Sequence, residues 1–443
     1  MSAKKPLKVV RADSGRGRRA LAKLFGRQRQ VLDPKVVRGA RKLVAAVRDK
    51  GDPALLEAVR RLDRVAVKSA SELRLPVPVL KEERAGLPAG FAGALERAIG
   101  AVEAYHAKQV REAEKRQSID QRNGVVVESH RRPLRRVGVY VPGGLAAYPS
   151  TVVMTVVPAR AAGVREIAVT TPPAAFGGNT ALRYTLAHLG VEEIWGIGGA
   201  QAVAAFAYGT ETVPRVDKIV GPGNAWVTAA KREVVGDVGI DGLAGPSEVV
   251  VVASDGADPA VIAADLLAQA EHDERAAAVL LTPRRRFARQ VADEVSRQLL
   301  ALSTAATAAK SLAAFGLAAV VENLEEAVAL AEDLAPEHLQ LVGTEAEALA
   351  DRFERAGAVF VGAATPEVFG DYVAGPSHVL PTGGSARFAS GLGVEDFVRR
   401  GHTVRFSAEA ASRWAAAAAT LADAEGLPAH AAAARKRLAG ERS

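Results

Sequence analysis

The chain places side chains able to move protons, hold a metal or approach a phosphate in a few short polar segments. In LAPEHLQL, Glu337 and His338 fall between a helical stretch and a β-rich run, which sets an acid and a base side by side at a sheet edge. In ADPAVIAADLLAQAEHD, Asp258 caps a predicted helix and Pro259 takes its first position, so Gln269 and His272, three apart, project from one face. One His with one Gln is half a metal site, and without further ligands a partly exposed polar pair at a helix end is the favoured reading. Asp371 and His378 share the Gly/Pro-punctuated loop FGDYVAGPSHVLPTGG, and Glu425 and His430 lie five apart near the C-terminus. By position alone each is as readily an ordinary polar residue. His106, His130 and His188 sit in polar settings and read as solvated surface residues.

Phosphate chemistry would come from glycine-rich turns. No G-x-x-x-x-G-K-[ST] occurs, and in GIGGAQA Gln201 stands where the third glycine of G-x-G-x-x-G belongs. Gly196, Gly198 and Gly199 still follow a β-rich run and open a helix, so their N–H groups can approach an anion, although a plain strand-to-helix turn uses glycine as readily. PGG at residues 142–144 and GPGN at 221–224 also lie just past strands of this block. Three such turns at the carboxyl edge of one parallel sheet strengthen a nucleotide reading, because open α/β sheets bind ligands there.

The elements that carry these residues follow from periodicity. Up to about residue 120 the pattern is helical, with Val36, Val37, Ala40, Leu43, Val44 and Val47 on one apolar face and a later helix through Leu95, Ile99, Val102 and Tyr105. RVGVYV, REIAVTT, EEIWGIG and DKIVG are then strands, each followed by a helix starting near Ser150, Asn179, Ala200 and Asn224. A second alternating series has SEVVVVAS, AAAVLLTP, LAAVVEN, LQLVG and AVFVG as its strands. Two such blocks predict two α/β domains with parallel sheets. After about Pro381 the chain turns Gly-rich, then Ala-rich and helical, which predicts a small tail better suited to a partner than to standing alone.

Composition narrows the classes. The 443 residues are 49% hydrophobic and 24% charged, enough for several buried cores, and the absence of Cys rules out disulfides, thiolate zinc sites and cysteine nucleophiles. Residues 1–50 hold 16 Lys and Arg against 3 Asp and Glu, while the whole chain carries a net +8. That local basicity comes without zinc-finger spacing or aromatic RNA-binding motifs, so a solvated or subunit-contacting face is expected rather than nucleic-acid binding. No apolar run suits a membrane span or a secretory signal, and a cytoplasmic location is expected.

Taken in order, GVYVPGG, GIGGAQAVAAFAYGT, VDKIVGPGN, AGPSEV, LLAQAEHD, LAPEHLQL and GPSHVLPTGGSARFASGL resemble the histidinol dehydrogenases, over about residues 138–430. The resemblance implies a homodimeric enzyme with active sites shared between chains. It would hold one Zn²⁺ per subunit and oxidise L-histidinol through the aldehyde to L-histidine with two NAD. By motif, Gln269, His272 and Asp371 match metal ligands, with His430 supplied by the partner chain. Ser247, His338, Glu425 and His430 match substrate contacts, beside the metal ligands themselves. Tyr140, Gln201 and Asn224 match NAD contacts, and Glu337 and His338 match the catalytic bases. Oxidation of another small alcohol, such as a sulfonated diol, is the alternative on this scaffold, and Glu425 with His430 favours histidinol.

The resemblance also implies two Rossmann-like domains and a mostly helical tail. The expected boundaries are an N-terminal arm at 1–25 counted with the tail, a catalytic domain at 26–137 and 249–392, an NAD-binding domain at 138–248, and a tail at 393–443.

Overall fold

The computed structural model describes residues 6–29, 32–115, 119–122, 124–143 and 148–438. It divides into one unit of residues 1–106 with 135–397 and a second of residues 107–134 with 398–443.

The first unit holds two parallel sheets. One has six strands, β1 (Lys8–Arg11), β9 (Glu248–Ala253), β10 (Ala277–Thr282), β11 (Leu317–Val320), β12 (His338–Val342) and β13 (Ala358–Val361), in the order β1-β11-β10-β9-β12-β13. The other has β4 (Arg136–Tyr140), β5 (Glu166–Thr171), β6 (Glu193–Gly196), β7 (Lys218–Val220) and β8 (Gly239–Ile240), in the order β6-β5-β4-β7-β8. All nine strands expected from sequence are present. The runs EVVVVA and AAVLLT are buried at every position, as strands covered by helices on both faces must be. Their covering helices are amphipathic: Arg285–Leu299 buries Ala288, Val291, Ala292, Val295 and Leu299 at alternating three- and four-residue spacing. Asp258 accepts the Ala260 N–H at 2.8 Å and starts the helix Pro259–Ala270 as its sequence predicts.

The strand order of the five-stranded sheet reverses between β4 and β7, which opens a crevice at their carboxyl ends. Gly221 leaves β7 at φ 107°, where a Cβ would collide with the carbonyl of Tyr140 at the end of β4. Glycine is needed there for the two strand ends to come this close.

The second unit is an antiparallel sheet of β2 (Ile119–Arg122), β3 (Val125–Pro133) and β14 (Val398–Phe406), in the order β14-β3-β2, with helices Ala408–Ala424 and Pro428–Arg435.

The expected boundaries need correction. The N-terminal arm is not part of the tail, because Lys8–Arg11 pairs in parallel with Leu317–Val320 and forms the edge of the six-stranded sheet. A four-residue edge strand flanked by charge has no period to betray it. Residues 34–73 do not join the catalytic sheet either: Ala40, Val44, Val47, Leu55 and Leu73 share a core with Trp195, Phe206 and Val227 of the five-stranded half. The tail is not confined to 393–443, since β14 pairs with β3 along its whole length. His106 is a further correction. It is buried with Nδ1 2.8 Å from the Val102 carbonyl, because the apolar stripe of Leu95, Ile99 and Val102 continues at 106, while Tyr105 turns outward.

Candidate active site

A cavity of about 430 Å³ in the first unit joins the two sheets. The five-stranded sheet contributes Pro142, Gly143, Pro222, Gly223 and Asn224 from the carboxyl ends of β4 and β7, at its switch point. Gly144 of the PGG turn lies outside the described residues. The six-stranded sheet contributes Ser247 and Glu337 from just before β9 and β12, with His338 opening β12, so its functional groups sit at the amino ends of its strands. His272 follows the helix Pro259–Ala270, and Asp371 lies on the helix Glu367–Tyr372; the two helices pack against each other.

Glu337 and His338 are both buried. The Ser247 hydroxyl and the Glu248 N–H both donate to Oε2 of Glu337, yet burial prevails and pushes its carboxyl up to about 8. Burial lowers the His338 imidazole, keeping it neutral and available as a base. His338 Nδ1 lies 3.8 Å from Glu337 Oε2 and 3.4 Å from Oε2 of Glu367, and Phe360 lies against the ring at a centroid distance of 5.9 Å.

Carboxyls dominate this region. Glu337 and Asp371 line the cavity, and buried Glu367 lies near them with Asp265, which accepts an amide hydrogen bond from Gln340 at 2.8 Å. Such a surplus suits a cation. Among the described residues no three His, Cys, Asp or Glu form a metal-holding group on their own. His272 Nε2 is 3.7 Å from Asp371 Oδ2, and Gln269, wholly buried on the same helix end, leaves both amide atoms without a partner. Gln269 does not line the cavity as His272 and Asp371 do; the chemistry of the three, an orphaned amide oxygen, an imidazole and a carboxylate, is an oxygen and nitrogen donor set that fits a divalent ion such as Zn²⁺.

The remaining sequence candidates separate. Asn224 lines the cavity and also caps the helix Ala225–Glu233, accepting the Trp226 N–H at 3.0 Å. Tyr140 and Gln201 are buried and do not line the cavity. The Tyr140 hydroxyl accepts the Gly199 N–H at 3.1 Å, and burial raises it to about 12. The amide of Gln201 donates to Asp63 at 2.9 Å, and the same carboxylate oxygen accepts the Gly198 N–H at 3.3 Å. The GIGG turn therefore already has an anion seated on it, supplied by the protein itself. Glu425 and His430 belong to the second unit, where both are exposed.

Two site residues had no role assigned from sequence. His378 lines the cavity with Nδ1 3.0 Å from the Asp371 carbonyl and Nε2 3.4 Å from the Thr151 hydroxyl. Glu367 stands four residues before Asp371, a spacing that puts both on one helix face and was the available clue.

Comparison with known proteins gives the family. Residues 27–438 match the family model described as histidinol dehydrogenase. The chain is 46% identical over 398 residues to a histidinol dehydrogenase of Synechococcus sp., covering 90% of this chain and 91% of that one. It is 49% identical over 392 residues to that of Moorella thermoacetica, with 88% and 92% covered. The crystal structure of histidinol dehydrogenase from Elizabethkingia anophelis superposes with a TM-score of 0.86 at 31% identity, covering 99% of this chain and all of the other.

Proposed function

The chain belongs to the histidinol dehydrogenase family of oxidoreductases, and from that premise we propose that it oxidises L-histidinol through L-histidinal to L-histidine, passing one hydride to NAD in each of two steps. The observation that carries this reading is the shared cavity, which faces a switch-point crevice suited to a dinucleotide on one side and an acid–base pair on the other.

In the first step neutral His338 takes the hydroxyl proton as the hydride leaves the carbinol carbon for NAD. In the second, Glu337 in its ionised form takes a proton from water as the oxygen adds to the aldehyde carbon, and the hydrated aldehyde then gives up the second hydride. One water and two NAD are consumed, and histidine, two NADH and three protons are released. The ionised fraction of Glu337 sets the second step, because its carboxyl lies near 8.

Gln269, His272 and Asp371, with His430 of the partner subunit, are the residues that would hold Zn²⁺. When bound, the ion supplies a fixed positive charge that orients the imidazole and amino groups of the substrate. Glu425 contributes to the same substrate from a shared homodimeric site. The deciding measurement is stoichiometry: two NADH per histidinol consumed, with histidine as product, supports the proposal. One NADH with the aldehyde accumulating, or no turnover of histidinol, sinks it.

A further inference from the structure

Glu367 opens the helix Glu367–Tyr372 directly after Pro366, and only 1% of its surface is exposed. Neither of its carboxyl oxygens has a hydrogen-bond partner, and neither does Nδ1 of His338, which Oε2 of Glu367 faces at 3.4 Å. Glu337 is no substitute for it. It stands farther from that nitrogen, at 3.8 Å, and its Oε2 is already occupied by Ser247 and Glu248. Burying a carboxyl with nothing to bind weakens a fold, and a leucine or methionine of similar volume would remove the cost. The carboxyl is therefore placed where it harms stability, with the unsatisfied Nδ1 of His338 at 3.4 Å from its Oε2.

We propose that Glu367 is the positioning residue for His338, accepting the Nδ1–H and so fixing the tautomer in which Nε2 carries the lone pair. This rests on His338 being the base of the first oxidation. A carboxyl can accept there in either protonation state, the acid form through its carbonyl oxygen. In the reacting complex the substrate O–H bond breaks, an N–H bond forms at Nε2, and Nδ1 keeps its proton against Glu367. Without an acceptor at Nδ1 the ring is free to take the other tautomer or to rotate, and the base is lost for part of the time. Glu367 does not line the cavity, so its proposed action on the reaction runs through His338.

The test uses the metal-loaded enzyme with histidinol and NAD. Glu367→Leu should lower kcat by about 10- to 100-fold, leave KM within about threefold, and raise Tm by about 2–4 °C. Glu367→Gln keeps an acceptor oxygen in the same place and should retain kcat within about fivefold of the parent. In a His338→Ala background, adding Glu367→Leu should cost nothing more, because the group it orients is gone. A lower Tm with an unchanged kcat, an equal loss in the Gln and Leu variants, or a full additional loss in the His338→Ala background would each overturn the proposal. Undiminished activity of His338→Ala alone would instead overturn the assignment of the base, a result separate from the behaviour of Glu367.

Discussion

Ser247 donates its hydroxyl hydrogen to Oε2 of Glu337, the same oxygen that accepts the Glu248 N–H at 3.0 Å. These two donors favour the ionised carboxylate against the burial that raises it to about 8. The base form is thus lost as pH falls through 8. Ser247→Ala removes one donor and should move the alkaline rise of histidinal oxidation upward by about one pH unit. The pH profile of kcat for that half-reaction reads this directly, and an unmoved profile would separate Ser247 from the base.

Glu337→Gln preserves the volume but removes the base. Histidinal oxidation should fall by about 100-fold or more, whereas a single turnover on histidinol should still release one NADH. Stopped-flow absorbance on each substrate distinguishes the steps, and equal losses in both would show that Glu337 does not belong to the second one.

Gln269 is wholly buried with both amide atoms unpartnered, and the proposed metal would take its oxygen. Gln269→Met should stabilise the metal-free protein by about 1–3 kcal/mol and weaken Zn²⁺ binding at the same time. Thermal melts with and without chelator, beside titration of bound zinc, check both signs. A destabilised metal-free variant with unchanged zinc affinity would make Gln269 a packing residue.

Arg27 and Glu248 form an ion pair at 2.6 Å with side-chain exposures of 2% and 7%. Arg27 also donates to the carbonyls of Pro246, Ser247 and Arg275, and Glu248 accepts the Gly383 N–H at 3.0 Å. Arg27→Met would strand a buried carboxylate and should cost about 3–5 kcal/mol, much of which Arg27→Met with Glu248→Met together should restore. Denaturant midpoints of the single and double variants measure it; additive losses would contradict the coupling.

The proposed sharing of the site between chains has its own signature. His272→Ala and His430→Ala, each inactive, should recover about a quarter of wild-type activity when mixed subunits assort at random, because half the dimers are mixed and each has one intact site of two. Native mass spectrometry confirms that heterodimers form. If they form and no activity returns, His430 serves its own chain.

The family of this protein was more legible in its sequence than the assembly of its domains. Helical spacing puts Gln269 and His272 on one face and the glycine turns mark strand ends, but spacing alone favoured a partly exposed polar pair, whereas Gln269 is wholly buried; only the ordered set of motifs pointed to a metal. Glu367 was missed because its partner is 29 residues back and its purpose appears only when His338 is seen buried beside it. Asp63 was missed for the same reason, since nothing local says that its carboxylate will fill the GIGG turn. The first strand escaped because four residues at a sheet edge acquire their meaning from a neighbour at the other end of the chain.

That pairing fixes an order of events during synthesis. The strands β4 to β8 lie within residues 136–240 and can find one another while the rest is still being translated. Lys8, by contrast, meets Leu317, and β12 needs β13, which ends at Val361. The sheet that carries Ser247, Glu337 and His338 closes only when most of the chain has left the ribosome. Until then the first strand and the helix bearing Arg27 lack the partners they pack against in the finished fold, so this segment is protected late.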